Sequence, residues 1–171
     1  MPRLNSCYLG LDPGEKGGIA IVDDEGLCRF TKKMPPDARS LWELMSMLKE
    51  AKFPIVATLI ERIDPRPTRY FSKQTNTWIS TILRSSCIIY GDFLQLHMAA
   101  LAAGFNPQSI GPHEWQKGLG IDKKVKGEKT GQFKNRLKAV AQQRFPNIKI
   151  TLATADALLI AEYCRLRKEL P

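Results

Sequence analysis

Cysteine and histidine are scarce in this chain, and neither is spaced for metal chemistry. Its 171 residues hold four cysteines, Cys7, Cys28, Cys87 and Cys164, far apart with no C-x-x-C pair, and two histidines, His97 and His113. That excludes a zinc site of ordinary spacing and a disulfide framework. It leaves free thiols, expected to be buried as small apolar groups in a reducing compartment. Long apolar runs are missing too. Nothing approaches the roughly 18 consecutive apolar residues of a membrane span, and the apolar run near Met1 meets charges and turn residues too soon for a signal peptide. Repeats and low-complexity tracts are also absent. The expectation is a soluble intracellular protein of the cytoplasm or nucleoid, without a membrane partner, forming one domain over residues 1–171.

What is present is ordinary in bulk and uneven in charge. With 43% hydrophobic and 25% charged residues, a chain of this length buries roughly 70% of its unfolded surface. The 26 Lys and Arg against 17 Asp and Glu give a net charge of +9, which favours a polyanionic partner, nucleic acid ahead of a membrane surface. Residues 1–60 hold 8 basic and 8 acidic side chains, residues 74–119 hold 2 of each, and residues 151–171 hold 3 of each. The whole surplus therefore lies in residues 61–73, with 4 basic and 2 acidic, and residues 120–150, with 9 basic and 2 acidic. Two local basic surfaces are expected.

Three apolar runs, Cys7 to Leu11, Gly18 to Val22 and Leu27 to Thr31, are separated by turn residues and predict an antiparallel meander. Asp37 then caps a helix with Leu41, Leu44, Met45 and Leu48 on one face. Pro54 to Ile60 is a β-branched run suited to a strand buried on both faces. A loop rich in Pro and Arg spans residues 62–73. Residues 76–103 follow with helical periodicity through Ile79, Ile82, Leu83, Leu94, Met98 and Leu101, and a break is conceivable near Gly91. A short strand at residues 108–111, a helical turn at 114–117, a mobile stretch at 119–132, and helices at 132–144 and 154–168 complete the chain. This order argues an α/β domain with a mixed sheet.

Three carboxylates occupy notable places. Asp12 ends the first strand, Glu61 ends the buried strand, and Asp156 falls in the first turn of the last helix. Singly, these are an ordinary turn residue, a solvated strand end and a complement to the helix dipole. As a set they read differently. If the strands of Asp12 and Glu61 are parallel neighbours, both acids emerge at one sheet edge, where a helix sharing a face with Leu159, Ile160 and Tyr163 can bring Asp156. Converging carboxylates repel unless a cation lies among them, and hard oxygen donors favour Mg²⁺ or Mn²⁺. Two such ions, about 4 Å apart, suit in-line displacement at a phosphodiester.

LGLDPGEKGGIAIV resembles the opening strand-turn-strand of RuvC-type Holliday-junction resolvases, a branch of the RNase H-like superfamily. LIERI resembles their second acidic strand, and TADALLIAEYCRL is similar to their final A-D-A-L-x-x-A helix. IGPHEWQKGLGI, with the lysine-rich stretch and the helix ending in Phe145 and Pro146, resembles the phage-type and plastid resolvases. The resemblance runs from about residue 7 to 168. It implies an RNase H-like fold with a mixed five-stranded sheet, an antiparallel meander plus parallel strands, flanked by helices. It further implies crossover junction endodeoxyribonuclease activity in recombination and repair, with Asp12, Glu61 and Asp156 as ligands of Mg²⁺ or Mn²⁺, two per active site. One departure stands out: the family's further acidic residue or histidine, one helical turn before the last Asp, is here Ala153.

Around this set lie the basic segments. Lys123, Lys124, Lys126, Lys129, Lys134, Arg136 and Lys138 form either a solvated face or phosphate contacts, and beside the resemblance the second is favoured. Neutralising about six phosphates would give a slope of log K against log salt near −5. Lys123 and Lys124 are candidates to lean on the scissile phosphate. After Glu61, Arg62, Arg66, Arg69 and Lys73 are candidates to hold phosphates, while Tyr70 or Phe71 either packs inward or stacks on unpaired bases. Trp78 and Trp115 are expected in the core or an interface. The leading expectation is a homodimeric nuclease that cuts a four-way DNA junction symmetrically, with the 76–103 helix as its interface. The alternatives are an RNase H-like nuclease acting on RNA:DNA hybrids or flaps, and a junction-binding protein without catalysis.

Overall fold

In a computed structural model, which describes residues 5–51, 53–65, 67–81 and 84–167, the alternation of the first strands decides the layering. Strands β1 (Cys7–Asp12), β2 (Gly18–Asp23) and β3 (Cys28–Lys33) form the expected antiparallel meander. Side chains alternate across a strand. Leu9, Leu11, Ile19 and Ile21 therefore point to one face, and Tyr8, Ala20 and Val22 to the other. Helix α1 (Ala38–Glu50) covers the first face with Leu41, Leu44, Met45 and Leu48, and its N-terminus is capped by Asp37, whose carboxylate accepts from the Ser40 amide at 2.8 Å.

Strand β4 (Ile55–Glu61) pairs parallel to β1, and a late strand, β7 (Pro107–Ile110), pairs parallel to β4, giving a five-stranded sheet of order β3-β2-β1-β4-β7. β4 is not buried along its whole length, as its composition predicted. Because β7 reaches only Thr58 to Glu61, the first half of β4 lacks a neighbour on that side, and Val56 is 55% exposed.

Residues 62–103 depart most from expectation. Part of the predicted loop and the start of the predicted helix form an antiparallel ribbon of β5 (Thr68–Ser72) and β6 (Thr77–Thr81). The sequence TWIST is rich in β-branched and aromatic residues and pairs with its neighbour across a turn in which Asn76 takes φ 51°. Helix α2 therefore begins later, at Arg84–Ala102, and passes through Gly91 without a break. Its inward residues are Phe93, Leu96 and Ala100, whereas the expected Leu94, Met98 and Leu101 are exposed. Ile82 and Leu83 lie outside the described residues. Trp78, expected in the core or an interface, is 71% exposed in this chain.

The opposite face of the sheet holds α5 (Leu152–Arg167), with α3 (Pro112–Gly118) and α4 (Thr130–Arg144) packed outside it. Layered between sheet and helices, α5 is buried almost all round from Thr154 to Cys164. Two cysteines depart from the expected burial: Cys28 is partly exposed and Cys87 exposed. The 119–132 stretch is better anchored than its composition suggested. Leu119 and Ile121 are buried, and the Arg136 guanidinium binds Glu128 and the carbonyls of Asp122 and Lys123. Among the described residues no helix is long and apolar enough to cross a membrane.

Candidate metal and nucleic-acid site

The parallel register Leu11↔Ile60 brings Asp12 and Glu61 out side by side at the ends of β1 and β4. α5 crosses these strands closely because Gly10 has no side chain: a Cβ there would run into the Ala157 carbonyl oxygen and the Ala161 amide nitrogen. This seats Asp156 in the same cleft, about 520 Å³ in volume, lined also by Trp115, Phe133 and Lys134. Asp156 belongs to the second turn of α5, not the first. The helix starts earlier than expected because Thr151 opens it, its amide donating to Thr154 Oγ1 at 3.1 Å.

The three carboxylates are held differently. Asp12 is 7% exposed, and its carboxylate has no hydrogen bond or ion pair among the described residues. Burial first, then the charges of Asp156 and Glu61, push its pKa well above the ordinary range. Glu61 is raised to about 7, chiefly by burial and further by Asp156, although the Trp115 indole donates to its Oε2 at 2.8 Å and pulls the other way. Asp156 is raised by burial and drawn down by Lys134, whose Nζ stands 4.0 Å from its Oδ2. Lys134 lowers all three.

Among the described residues no three His, Cys, Asp or Glu side chains already stand as a metal site. The donor chemistry nonetheless suits a hard cation. Three carboxylates are gathered in one cleft against their mutual repulsion, and the most buried has nothing to bind. Ala153 lies three residues before Asp156 and offers only a methyl group.

The remaining candidate residues are spread around this cleft. Lys134 lines it, whereas Lys123 and Lys124 do not, and Lys124 donates to Thr130 Oγ1 at 3.1 Å. Lys126 and Lys129 are exposed on the same loop. Arg62 is exposed and binds Asp64 at 3.1 Å, and Arg66 lies outside the described residues. Arg69 and Lys73 are exposed on the ribbon with Tyr70 and Phe71, and the Phe71 ring meets Trp78 edge-on at 5.7 Å. Two residues do something other than what the sequence suggested. Trp115 was expected only to pack, yet it also holds Glu61; a buried indole N–H needs an acceptor, which was the available signal. Arg136, expected with the neighbouring lysines on a solvated face or at phosphates, ties down the lysine loop.

A mixed sheet of this order between helical layers, with acids at the ends of its two central parallel strands and on the crossing helix, is the RNase H-like fold. No protein-family model and no curated protein matches the chain. Solved structures do. The T. thermophilus RuvC in complex with Holliday junction substrate superposes with a TM-score of 0.61 at 16% identity, over 96% of each chain. A second Thermus thermophilus RuvC structure gives 0.54 at 17% identity, over 95% of this chain and 96% of that one.

Proposed function

We propose that this protein is a divalent-metal-dependent endonuclease that resolves four-way DNA junctions. The observation that carries the reading is the position of Asp12, Glu61 and Asp156, buried together in one cleft of a RuvC-like fold and flanked by the two segments that hold the net positive charge. Asp12, Glu61 and Asp156 would hold Mg²⁺ or Mn²⁺. Bound there, such an ion supplies Lewis acidity toward the scissile phosphate and a more acidic water. The chain's own residues do the rest. Trp115 fixes the orientation of Glu61, and Lys134 places a positive charge beside the reacting phosphate. The exposed lysines of residues 123–129 and the cations of the 62–73 segment grip phosphates on either side, and Tyr70, Phe71 and Trp78 offer faces for unpaired bases. Symmetric cutting needs two sites, and the exposed apolar residues of α2 suit a second copy of the chain.

The test is a labelled mobile four-way junction incubated with Mg²⁺ or Mn²⁺. Paired cuts yielding nicked duplexes are expected. Asp12→Asn should abolish cutting, by at least about a thousandfold, and keep junction binding. Ala153 favours one other reading, a junction-binding protein without catalysis. Tight binding with no cutting, even after Ala153→Asp, would establish that instead. Faster cleavage of an RNA:DNA hybrid or a flap would move the substrate assignment.

A further inference from the structure

We infer that Gln116 is a catalytic residue whose side-chain amide donates to a non-bridging oxygen of the scissile phosphate. The inference rests on the nuclease reading and deepens it. Gln116 is 7% exposed, and its side-chain amide has no hydrogen bond among the described residues. An amide carries two N–H donors and a carbonyl acceptor, and a buried one ordinarily finds a partner because leaving it unpaired is costly. Thr31 Oγ1 is the one fully enclosed side-chain nitrogen or oxygen without a partner among the described residues, so the Gln116 amide is not sealed in. Gln116 lines the cleft that holds Asp12, Glu61 and Asp156. Its amide therefore opens on that cleft, and its partner is what the cleft takes up.

The backbone around this amide is fixed on three sides. The Gln116 carbonyl accepts from the Leu119 amide at 3.2 Å and the Ile121 amide at 2.8 Å, which closes the end of α3. Two residues on, Gly118 lies so close to the Tyr163 ring of α5 that a Cβ would overlap it. One residue back, Trp115 is fully buried and its indole holds Glu61 at 2.8 Å. The same turn of α3 thus orients a carboxylate and offers a free amide to one cleft. A donor held in place before the substrate arrives costs no reorganisation when charge develops on the phosphate.

The other side-chain donors that line the cleft are engaged or exposed. Trp115 is committed to Glu61, Lys134 faces Asp156 at 4.0 Å, and Lys16 and Thr130 are exposed at its rim. Carboxylates draw a lysine toward themselves, whereas an uncharged amide is drawn less strongly and stays available. A phosphodiester brings further negative charge among three acids, so beyond any bound cation its oxygens need N–H donors that those acids have not already taken. Gln116 is the buried side chain of the cleft that meets this need.

The experiment pairs two variants that lack the N–H donor, Gln116→Met and Gln116→Glu, with junctions carrying sulfur at one or the other non-bridging oxygen of the scissile phosphate. Cleavage is followed in single turnover with excess protein and Mn²⁺, which tolerates sulfur as a ligand. Gln116→Met should fold and bind junction as the unaltered protein does, yet cut the all-oxygen junction about a hundredfold more slowly. At one of the two oxygens, sulfur should slow the unaltered protein, and that penalty should shrink by about fivefold or more in both variants, because the bond that sulfur weakens is already gone. A structural role for Gln116 would slow every junction alike and leave the sulfur penalties as they were. Unchanged cutting by Gln116→Met, or equal sulfur penalties in all three proteins at both oxygens, would overturn the inference and leave the nuclease reading standing. If the unaltered protein cuts no junction, the nuclease reading falls and the inference falls with it.

Discussion

At Glu61 burial outweighs the hydrogen bond that opposes it. Burial and Asp156 raise its pKa to about 7 while the Trp115 indole opposes them, and Asp12 and Asp156 are raised in the same direction. For an acid whose folded pKa exceeds its unfolded one, the stability gained is complete below the unfolded value, here 4.5, and is lost as pH rises through about 7. The metal-free protein should therefore melt at progressively lower temperature from about pH 5 to about pH 8. A divalent cation, which binds the ionised form, should restore more at pH 8 than at pH 6. Thermal unfolding followed by circular dichroism in chelator and in Mg²⁺ tests this, and a flat profile in chelator would contradict the buried placement. Trp115→Phe removes the hydrogen bond that lowers Glu61. The acid limb of the cleavage pH profile should then move to higher pH.

At the scale of elements, the site depends on α5 lying directly on β1. Gly10 permits this, because any Cβ would collide with the helix backbone at Ala157 and Ala161 rather than with a side chain that can swing aside. Gly10→Ala should cost about 1–3 kcal/mol by overpacking and lift Asp156 away from Asp12. Chemical denaturation should show the first effect, and weaker Mn²⁺ binding in the folded variant the second; a fully stable variant with unchanged ion affinity would refute the seat. Much of this arrangement was legible in the sequence. The alternation in β1 and β2, the Asp37 cap and the order of the acidic residues all follow from local patterns that the tertiary structure leaves intact. The ribbon was not legible, since Trp78 and Ile79 continue an apolar spacing that also fits a helix, and only pairing with Arg69 to Phe71 decides between them. The inward face of α2 was equally ambiguous. Apolar residues circle that helix, so periodicity could not separate Phe93 and Leu96 from Leu94 and Met98. That Lys134 stands beside Asp156 and that Trp115 holds Glu61 required the packing of α3 and α4 against α5, a long-range relation.

Across the whole molecule, charge and apolar surface are segregated. The basic segments border the acidic cleft, whereas α2 presents Leu94, Met98 and Leu101 to solvent on the face it turns away from the core. An exposed apolar row on a long helix is a liability in a monomer and an asset in a dimer, because two copies related by a twofold axis can bury it against itself. On the proposed reading, a second copy of the chain would also set two clefts on one four-way junction. Met98, 61% exposed, is the sensitive position. Met98→Glu would place two like charges face to face in an isologous contact, and it touches neither the cleft nor the basic segments. The expected outcome is a chain of half the mass by light scattering, with unaltered Mn²⁺ binding. On a four-way junction it should leave single nicks without resolution into duplexes, since the two cuts would no longer be coupled within one bound complex. Paired cutting by a demonstrably monomeric variant would show that the apolar face of α2 does not assemble the two sites.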